Sequence, residues 1–372
     1  MTVHLLGLSH TETTRAFEFC AYTAKIRKLA TMLTRSGVDV VLYAGEANEA
    51  EVAEHVQIVT RGEQAAWFAG WDPAKTWFNH DRAWEPASPW WLTFTERAAA
   101  EIRKRAEPGD ILGVTMGTSH EPVAAAVRDI GMLEVETGIG YSGVWAPYRV
   151  FESWAWRHYL ATKQETDDVR FFDEVIPNYF EPEAFPAGGG DGGYFLYMGR
   201  LTGRKGPHIA AQACQRLGVK LVVAGQGALS AEPGRIRCID GTVLEGDVEY
   251  TGLVGPEERA RLMGGAIATF VPTMYLEPFG GVSVESQMAG TPAIVTAWGG
   301  LLENVVPGAT GYACRMLQEF VDAAAAAPSL DRARIREHAI ATWSTDVLAG
   351  RYVDYFDRLG TLWHDGWYAS AA

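Results

Sequence analysis

Short apolar runs alternate along the chain with longer stretches in which apolar side chains recur at helical spacing, the pattern of a parallel sheet covered by helices on both faces. VHLLGL (3–8) predicts the first strand. The stretch from about Arg15 to Arg35 predicts a long helix stopped by Ser36-Gly37, and VDVVLYAG (38–45) a second buried strand. DILGVT (110–115) with the helix EPVAAAVRDI, and MLEVETG (132–138) with the helix FESWAWRHYL, continue the alternation. A new alternation begins at residue 194, with strands YFLYMG (194–199), KLVVAG (220–225), VEYTGLV (248–254), AIATFVP (266–272) and PAIVTA (292–297).

Between the two series lies PNYFEPEAFPAGGGDGG (177–193), with three prolines, five glycines and no apolar period, which reads as an interdomain connection. The expected organisation is an N-terminal Rossmann-like domain over 1–182, a linker over 183–193 and a second such domain over 194–345. Leu348, Tyr352, Tyr355, Phe356 and Leu359, at helical spacing after Ser344 as N-cap, predict a final helix within 346–372 that packs back on the first domain. The expected fold is therefore α/β, two doubly wound domains facing each other across a cleft, with ligands at the carboxyl ends of the strands.

Composition narrows the function. With 48% hydrophobic and 21% charged residues, the chain is globular rather than disordered. The 32 Lys+Arg against 46 Asp+Glu give a net charge of −14, and both halves share it, with 17 basic against 26 acidic residues up to Pro182 and 15 against 20 beyond. A polyanionic partner meets net repulsion except at a local basic patch. Cys20, Cys214, Cys238 and Cys314 are widely spaced with no CxxC, which favours a reducing cytoplasm over a disulfide framework or a zinc site. No export leader and no run of apolar residues long enough to span a bilayer is apparent, so a cytoplasmic protein is expected.

A literal GxGxxG at Gly188–Gly193 precedes a strand instead of following one, so it reads as linker, and GxxxxGK[ST], HExxH, GxSxG and DxD are all missing. The informative segment is YLEPFGGVSVESQMAGTPAIVTAWGG (275–300). A strand ends near Pro272, Gly280-Gly281 open a helix, and Gly290 ends it before Pro292 starts the next strand. The backbone amides of Phe279, Gly280, Gly281 and Val282 then form an anion-binding helix N-terminus, with Glu277 in the loop before it and Glu285 about one turn in. Carboxylates repel phosphate but accept hydrogen bonds from vicinal hydroxyls, so a ligand anionic in its middle and hydroxylated at both ends satisfies the whole arrangement. A sugar nucleotide has that layout. MGRLTGRKGP (198–207) follows the first strand of the same half, where Arg200 and Lys205, with Arg204 as a neighbour, would neutralise a diphosphate; simple solvation of these cations is the alternative.

GRLTGRKG, AGQG (224–227) and the two glutamates spaced E-x7-E, Glu277 and Glu285, occur in order. Together they make the half from about 194 to 345 resemble the donor domain of family-4 retaining glycosyltransferases of the GT-B fold. The resemblance implies that Arg200 and Lys205 hold the donor diphosphate, Glu285 the ribose, and Glu277 the transferred sugar with the Phe279–Val282 backbone, with no metal required. In the first half, family members often carry paired glycines after the first strand, and GLSHTETTR keeps only Gly7. His120, in VTMGTSHE, stands about where such enzymes often carry a histidine that contacts the donor sugar; a helix-capping or half-buried histidine is the alternative, and His10 is a weaker candidate.

Trp67, Trp71, Trp77, Trp84, Trp90 and Trp91 fall in one stretch and offer either an acceptor platform or the packing of an insertion or subunit contact. Arg149, Glu152 and His158 are further candidates to face the cleft. The expected function is metal-independent, front-face retaining transfer of a sugar from a UDP- or GDP-sugar to an unidentified acceptor, a glycan or a small molecule. Rivals are an epimerase or hydrolase on the same fold, a non-catalytic sugar-nucleotide binding protein, and a transferase acting on modified nucleic acid through basic patches at Lys25, Arg27 and Lys28 or at Arg103–Arg105.

Overall fold

The structure is a computed structural model that describes residues 1–70, 85–168 and 170–364. Among these residues the chain crosses from one unit to the other at Tyr179/Phe180 and returns at Ser344/Thr345. The first unit holds seven parallel strands: β1 (Val3–Leu6), β2 (Val40–Ala44), β3 (Glu54–Gln57), β4 (Ile111–Val114), β5 (Leu133–Ile139), β6 (Tyr148–Phe151) and β7 (Asp173–Val175), in the order 3-2-1-4-5-6-7. Its helices include α1 (Ala21–Arg35), α2 (Arg61–Trp67), α3 (Pro89–Ile102), α4 (Glu121–Val127) and α5 (Trp154–Lys163). β1, β2, β4, β5 and β6 are buried along their whole length, as continuous apolar runs in a sheet covered on both faces must be.

In the second unit β8 (Tyr194–Met198), β9 (Lys220–Ala224), β13 (Val248–Gly252), β14 (Thr269–Val271), β15 (Ala293–Thr296) and β16 (Gly311–Cys314) form a parallel sheet in the order β13-β9-β8-β14-β15-β16. Counted within the sheet, this is again 3-2-1-4-5-6. The helices are α6 (Pro207–Leu217), α7 (Pro256–Gly265), α8 (Gly281–Met288), α9 (Leu301–Asn304), α10 (Leu317–Ala326) and α11 (Arg332–Trp343). Between β9 and β13 the chain builds a separate antiparallel sheet, β10 (Ala228–Glu232), β11 (Arg235–Cys238) and β12 (Val243–Glu245). Its alternating side chains bury Ile236, Cys238 and Leu244 against the same core as Ala210, Ala211 and Cys214 of α6.

The final helix, α12 (Thr345–His364), places Leu348, Tyr352, Tyr355, Phe356 and Leu359 in the core of the first unit, and Tyr355 Oη donates to the carbonyl of Phe172 at 2.8 Å. Several expected boundaries move. Residues 15–17 form a separate 3-10 turn, and Ser153 caps α5 by accepting the Trp156 amide at 3.0 Å, so Phe151 ends a strand instead of starting a helix. The segment 183–193, expected as a linker, belongs to the second unit. Phe185 lies in its core, and the amides of Gly188, Gly190 and Gly192 donate to the carbonyls of Ala289, Gly264 and Gly265 at 3.0, 3.0 and 2.9 Å. Its backbone hydrogen bonds supply what its composition lacks in apolar surface.

Candidate functional site

In each unit the strand order reverses between the first strand and the fourth, β1/β4 and β8/β14, and open α/β sheets bind ligands at the carboxyl ends of such strands. In the second unit, the loop after β8 carries Arg200, Arg204 and Lys205, and the loop after β14 carries Tyr275, Glu277 and the start of α8. The two loops are fastened together. Met274 donates its amide to the Arg204 carbonyl at 2.8 Å, and Gly206, at φ +71°, stands where an added Cβ would lie 2.0 Å from the Pro272 carbonyl oxygen.

That clasp brings Lys205 Nζ to 2.7 Å from Glu277 Oε2, with only 22% and 11% of the two side chains exposed. Burial works to lower the Lys205 pKa, but attraction to Glu277 and Tyr275, helped by hydrogen bonds to both, outweighs it and the net shift is upward. The Tyr275 ring supports both cations, with Lys205 Nζ 5.0 Å and Arg204 Cζ 4.5 Å from its centroid. Arg200 is exposed at the end of β8, its carbonyl held by Tyr197 Oη at 2.8 Å.

Gly280 adopts φ +86° as the residue before α8; a Cβ there would lie 2.3 Å from Leu301 Cδ2 and 3.4 Å from Glu277 Cγ. The left-handed backbone and the close approach of Leu301 are what require glycine here. No side chain caps α8, so the Gly281 and Val282 amides point out of a helix N-terminus that favours an anion. Phe279 is buried and stacks on Phe180 at 6.2 Å, and Asn304 Nδ2 donates to its carbonyl at 2.6 Å, which fixes the loop. Glu285, in the second turn, is held 3.3 Å from Arg259 Nη1 of α7. The second unit therefore gathers a fixed ammonium–carboxylate pair, an open helix N-terminus and a further carboxylate on one edge of its sheet.

The first unit treats its candidates differently. His120 is fully buried: Nε2 donates to the Gly7 carbonyl at 2.9 Å, Nδ1 accepts the Thr115 amide at 3.4 Å, and the ring stacks on Phe94 and meets Trp91 edge-on. Burial pushes its pKa down to about 3, against the opposing hydrogen bond to Gly7. The expectation that His120 faces an open site is corrected here: both ring nitrogens are engaged with backbone, and the ring ties the loops after β1 and β4 together. His10, 3% exposed between Phe68 and Trp91, is likewise pushed down to about 3 by burial, with His120 adding to it. Trp91 is a core side chain and Trp67 and Trp90 pack against that core, which speaks against an open platform; Trp71, Trp77 and Trp84 lie outside the described residues.

The basic patches are also spent internally. Lys25 is buried in an ion pair with Glu152 and donates to the Gly138 carbonyl at 2.7 Å, and Arg27 pairs with Glu18 at 2.8 Å. Lys28 Nζ lies 5.9 Å from the Tyr179 ring centroid. Arg103 pairs with Asp129 (2.6 Å), Lys104 with Glu101 (2.5 Å) and Arg105 with both Glu54 and Glu101 (2.8 and 2.7 Å). Arg149 is buried with its Nε donating to the Ala146 carbonyl, whereas His158 is exposed beside Trp154. Sequence reasoning missed Tyr275 and Glu136. Glu136, fully buried in the middle of β5, accepts the Trp145 and Ala146 amides at 3.0 Å each and the Tyr141 hydroxyl at 3.0 Å, yet burial pushes its pKa up to about 7.

Residues 184–334 match the family model of glycosyl transferases group 1. The glycogen synthase of Mycobacterium tuberculosis is 37% identical over 128 residues, a match that covers 32% of this chain and 29% of the synthase. Among solved structures, sucrose-phosphate synthase from Thermosynechococcus elongatus superposes with a TM-score of 0.68 over the full length of both chains at 18% identity. Anabaena HepE in complex with UDP-glucose does so with a TM-score of 0.62 over 96% of this chain and 100% of HepE, at 14% identity. The fold of this protein is that of the GT-B glycosyltransferases, with two parallel Rossmann-like sheets. Among the described residues no helix is long and apolar enough to cross a membrane.

Proposed function

From a second unit that carries the group 1 glycosyl transferase pattern, we propose that the protein transfers a sugar from a nucleotide-diphosphate sugar to an acceptor hydroxyl with retention of anomeric configuration. The observation that carries this is the Lys205–Glu277 pair seated against the open N-terminus of α8. Lys205 and Arg200 neutralise the diphosphate, the Phe279–Val282 backbone binds the anion and the sugar, Glu277 accepts hydrogen bonds from the sugar hydroxyls, and Glu285 from the ribose. In the reaction, the acceptor oxygen bonds to the anomeric carbon on the face from which the phosphate oxygen departs. The acceptor proton passes to that phosphate oxygen, and the nucleoside diphosphate leaves with the negative charge that Lys205 and Arg200 stabilise. UDP is the first donor nucleotide to test, since HepE, of like fold, was solved with UDP-glucose.

The acceptor in this reading is a glycan or small molecule. A nucleic-acid acceptor is disfavoured by the pairing of Lys25, Arg27 and Arg103–Arg105 with acids. The four cysteines are all free, which accords with a cytoplasmic setting. The test is incubation with a panel of UDP-, GDP- and ADP-sugars, with and without candidate acceptors, reading released nucleotide by chromatography and product configuration by NMR. Nucleotide release from one donor and an anomer matching it are expected. Binding without turnover across the panel, inversion, or release of an altered sugar without an acceptor would each sink a stated part of the proposal.

A further inference from the structure

The turn that carries Arg204 and Lys205, Gly203–Lys205, is a single 3-10 turn with no side-chain cap of its own. What holds its start is a residue more than thirty positions away. Asp240 Oδ2 accepts the Gly203 amide at 2.6 Å while Oδ1 accepts the Thr242 amide at 3.1 Å, so one carboxylate joins the tip of the β11–β12 hairpin to the head of the turn. The hairpin tip is itself fixed. Cys238 donates its amide to the Thr242 carbonyl at 2.7 Å, Gly241 at φ +88° closes the turn, and the Ile239 amide donates to the Gly227 carbonyl at 2.8 Å, in the loop after β9. The far side of the cation turn is tied by the Arg204 carbonyl to Met274. Gly203–Lys205 is thus suspended between the small antiparallel sheet and the loop that bears Glu277.

An anion beside the proposed diphosphate site is electrostatically adverse; nearby, burial pushes the His208 pKa down and the Asp240 charge opposes this without reversing it. Hydrogen bonds to the ionised form, from Gly203 and Thr242 above all, hold the Asp240 pKa below the usual carboxylate range although burial opposes this. The carboxylate is therefore charged at neutral pH, and it is spent on backbone amides rather than on the cations that follow.

We propose that Asp240 is a positioning residue for diphosphate recognition, acting through the Gly203 amide to hold Lys205 and Arg204 in their binding arrangement, and that the β10–β12 sheet serves to deliver it. This rests on the donor-site reading above. Removal of a hydrogen bond to a charged group releases the turn to other conformations and is expected to weaken nucleoside diphosphate binding about tenfold. Nucleoside monophosphate, which offers the turn one phosphate fewer, should lose much less. Asn keeps one acceptor oxygen, which can serve the Gly203 amide but not the Thr242 amide as well, so it should restore part of the affinity.

The experiment is calorimetric titration of wild type, Asp240→Ala, Asp240→Asn, Lys205→Ala and Asp240→Ala/Lys205→Ala with the pairs UDP/UMP, GDP/GMP and ADP/AMP. Support requires that Asp240→Ala lose diphosphate affinity selectively, that Asn recover part of it, and that the double variant lose little beyond Lys205→Ala alone. Equal loss for mono- and diphosphate, no loss, or full additivity with Lys205→Ala overturns the positioning role. A wild type that binds none of the pairs, or does not prefer the diphosphate, instead overturns the donor reading and the inference with it.

Discussion

Replacing Lys205 by Ala removes one half of a pair whose atoms stand 2.7 Å apart with most of both side chains buried. At an effective dielectric of about 20, two unit charges at that spacing attract by roughly 6 kcal/mol before desolvation is counted, and removing one partner of a buried pair typically costs about 3–5 kcal/mol. The residual exposure of Lys205 places the stability cost near the lower end, about 3 kcal/mol. Activity suffers twice. The diphosphate loses a charge-assisted contact of about 1.5–3 kcal/mol, and the bared Glu277 carboxylate then repels the phosphate with a penalty of similar size. The kcat/KM for the donor should therefore fall roughly a hundred- to ten-thousand-fold.

Adding Glu277→Gln to Lys205→Ala removes the stranded charge, so the two losses should fall short of additive by about 1–3 kcal/mol. Initial rates of nucleotide release, with thermal melts and circular dichroism to verify folding, measure both quantities. A Lys205→Ala protein that is folded and turns over donor within about threefold of wild type, or two losses that simply add, would refute the argument.

Glu136 has a native pKa near 7 against an ordinary 4.5, so its contribution to stability is fully present below pH 4.5 and is lost as pH rises through 7, about 3 kcal/mol in all; Glu136→Gln should remove that slope from chemical-denaturation curves between pH 4.5 and 8. His10 and His120, pushed down to about 3, act oppositely: their contribution is present above the unfolded value of 6.5 and is lost as pH falls toward 3. Double replacement of these two by Gln should flatten the acid side of the stability profile. His120→Ala strands the Gly7 carbonyl and empties a space beside Trp91 and Phe94, for a loss of about 3 kcal/mol in unfolding free energy, while affinity for nucleoside diphosphate should stay within about twofold because the ligands proposed for it lie in the other unit. Tyr275→Leu removes the ring shared by Arg204 and Lys205 and should weaken nucleoside diphosphate binding up to about thirtyfold by calorimetry, whereas Tyr275→Phe keeps the ring and should lose less.

The second unit was the more legible one, because its site is written in local punctuation. Gly280-Gly281, Gly290 and Pro292 bracket α8 so tightly that its ends can be set within a residue or two, and the positions of Glu277 and Glu285 follow. What escaped has physical reasons. β3 is an edge strand with one buried side chain, so it has no apolar run to find, and β6 is a four-residue run interrupted by Arg149 whose last residue, Phe151, falls in the expected aromatic helix even though Ser153 carries an N-cap signal. The β10–β11 hairpin announces itself only through Pro233-Gly234 between alternating residues. The 183–193 segment looked like a tether because a backbone paired through its amides leaves no mark on composition. His120 shows the same limit: the rings that bury it come from α3, more than twenty residues earlier, and nothing near His120 in sequence reports them.

The two sheets share the order 3-2-1-4-5-6 and so present two equivalent switch points, yet they are used differently. At β8/β14 the sequence installs lysine and glutamate where glycines keep the backbone bare, and an uncapped helix start is left for an anion. At β1/β4 it installs a neutral histidine that bonds Gly7 and Thr115, and aromatic side chains close over it. Topology supplied the same opportunity twice, and the side chains placed at the two switch points differ in kind. The net charge of −14 fits this division. Lys25, Arg27, Arg103, Lys104 and Arg105 of the first unit are paired with acids and Lys205 shares Glu277, so in the proposed donor site Arg200 and Arg204 are the cations expected to draw a diphosphate through an otherwise repulsive field. If that is so, reversing the charge of Arg200 or Arg204 should slow nucleoside diphosphate association and flatten its salt dependence, whereas reversing Arg103 should leave both unchanged. Stopped-flow rates across ionic strength distinguish these, and an Arg103 effect as large as that of Arg200 would undo the assignment.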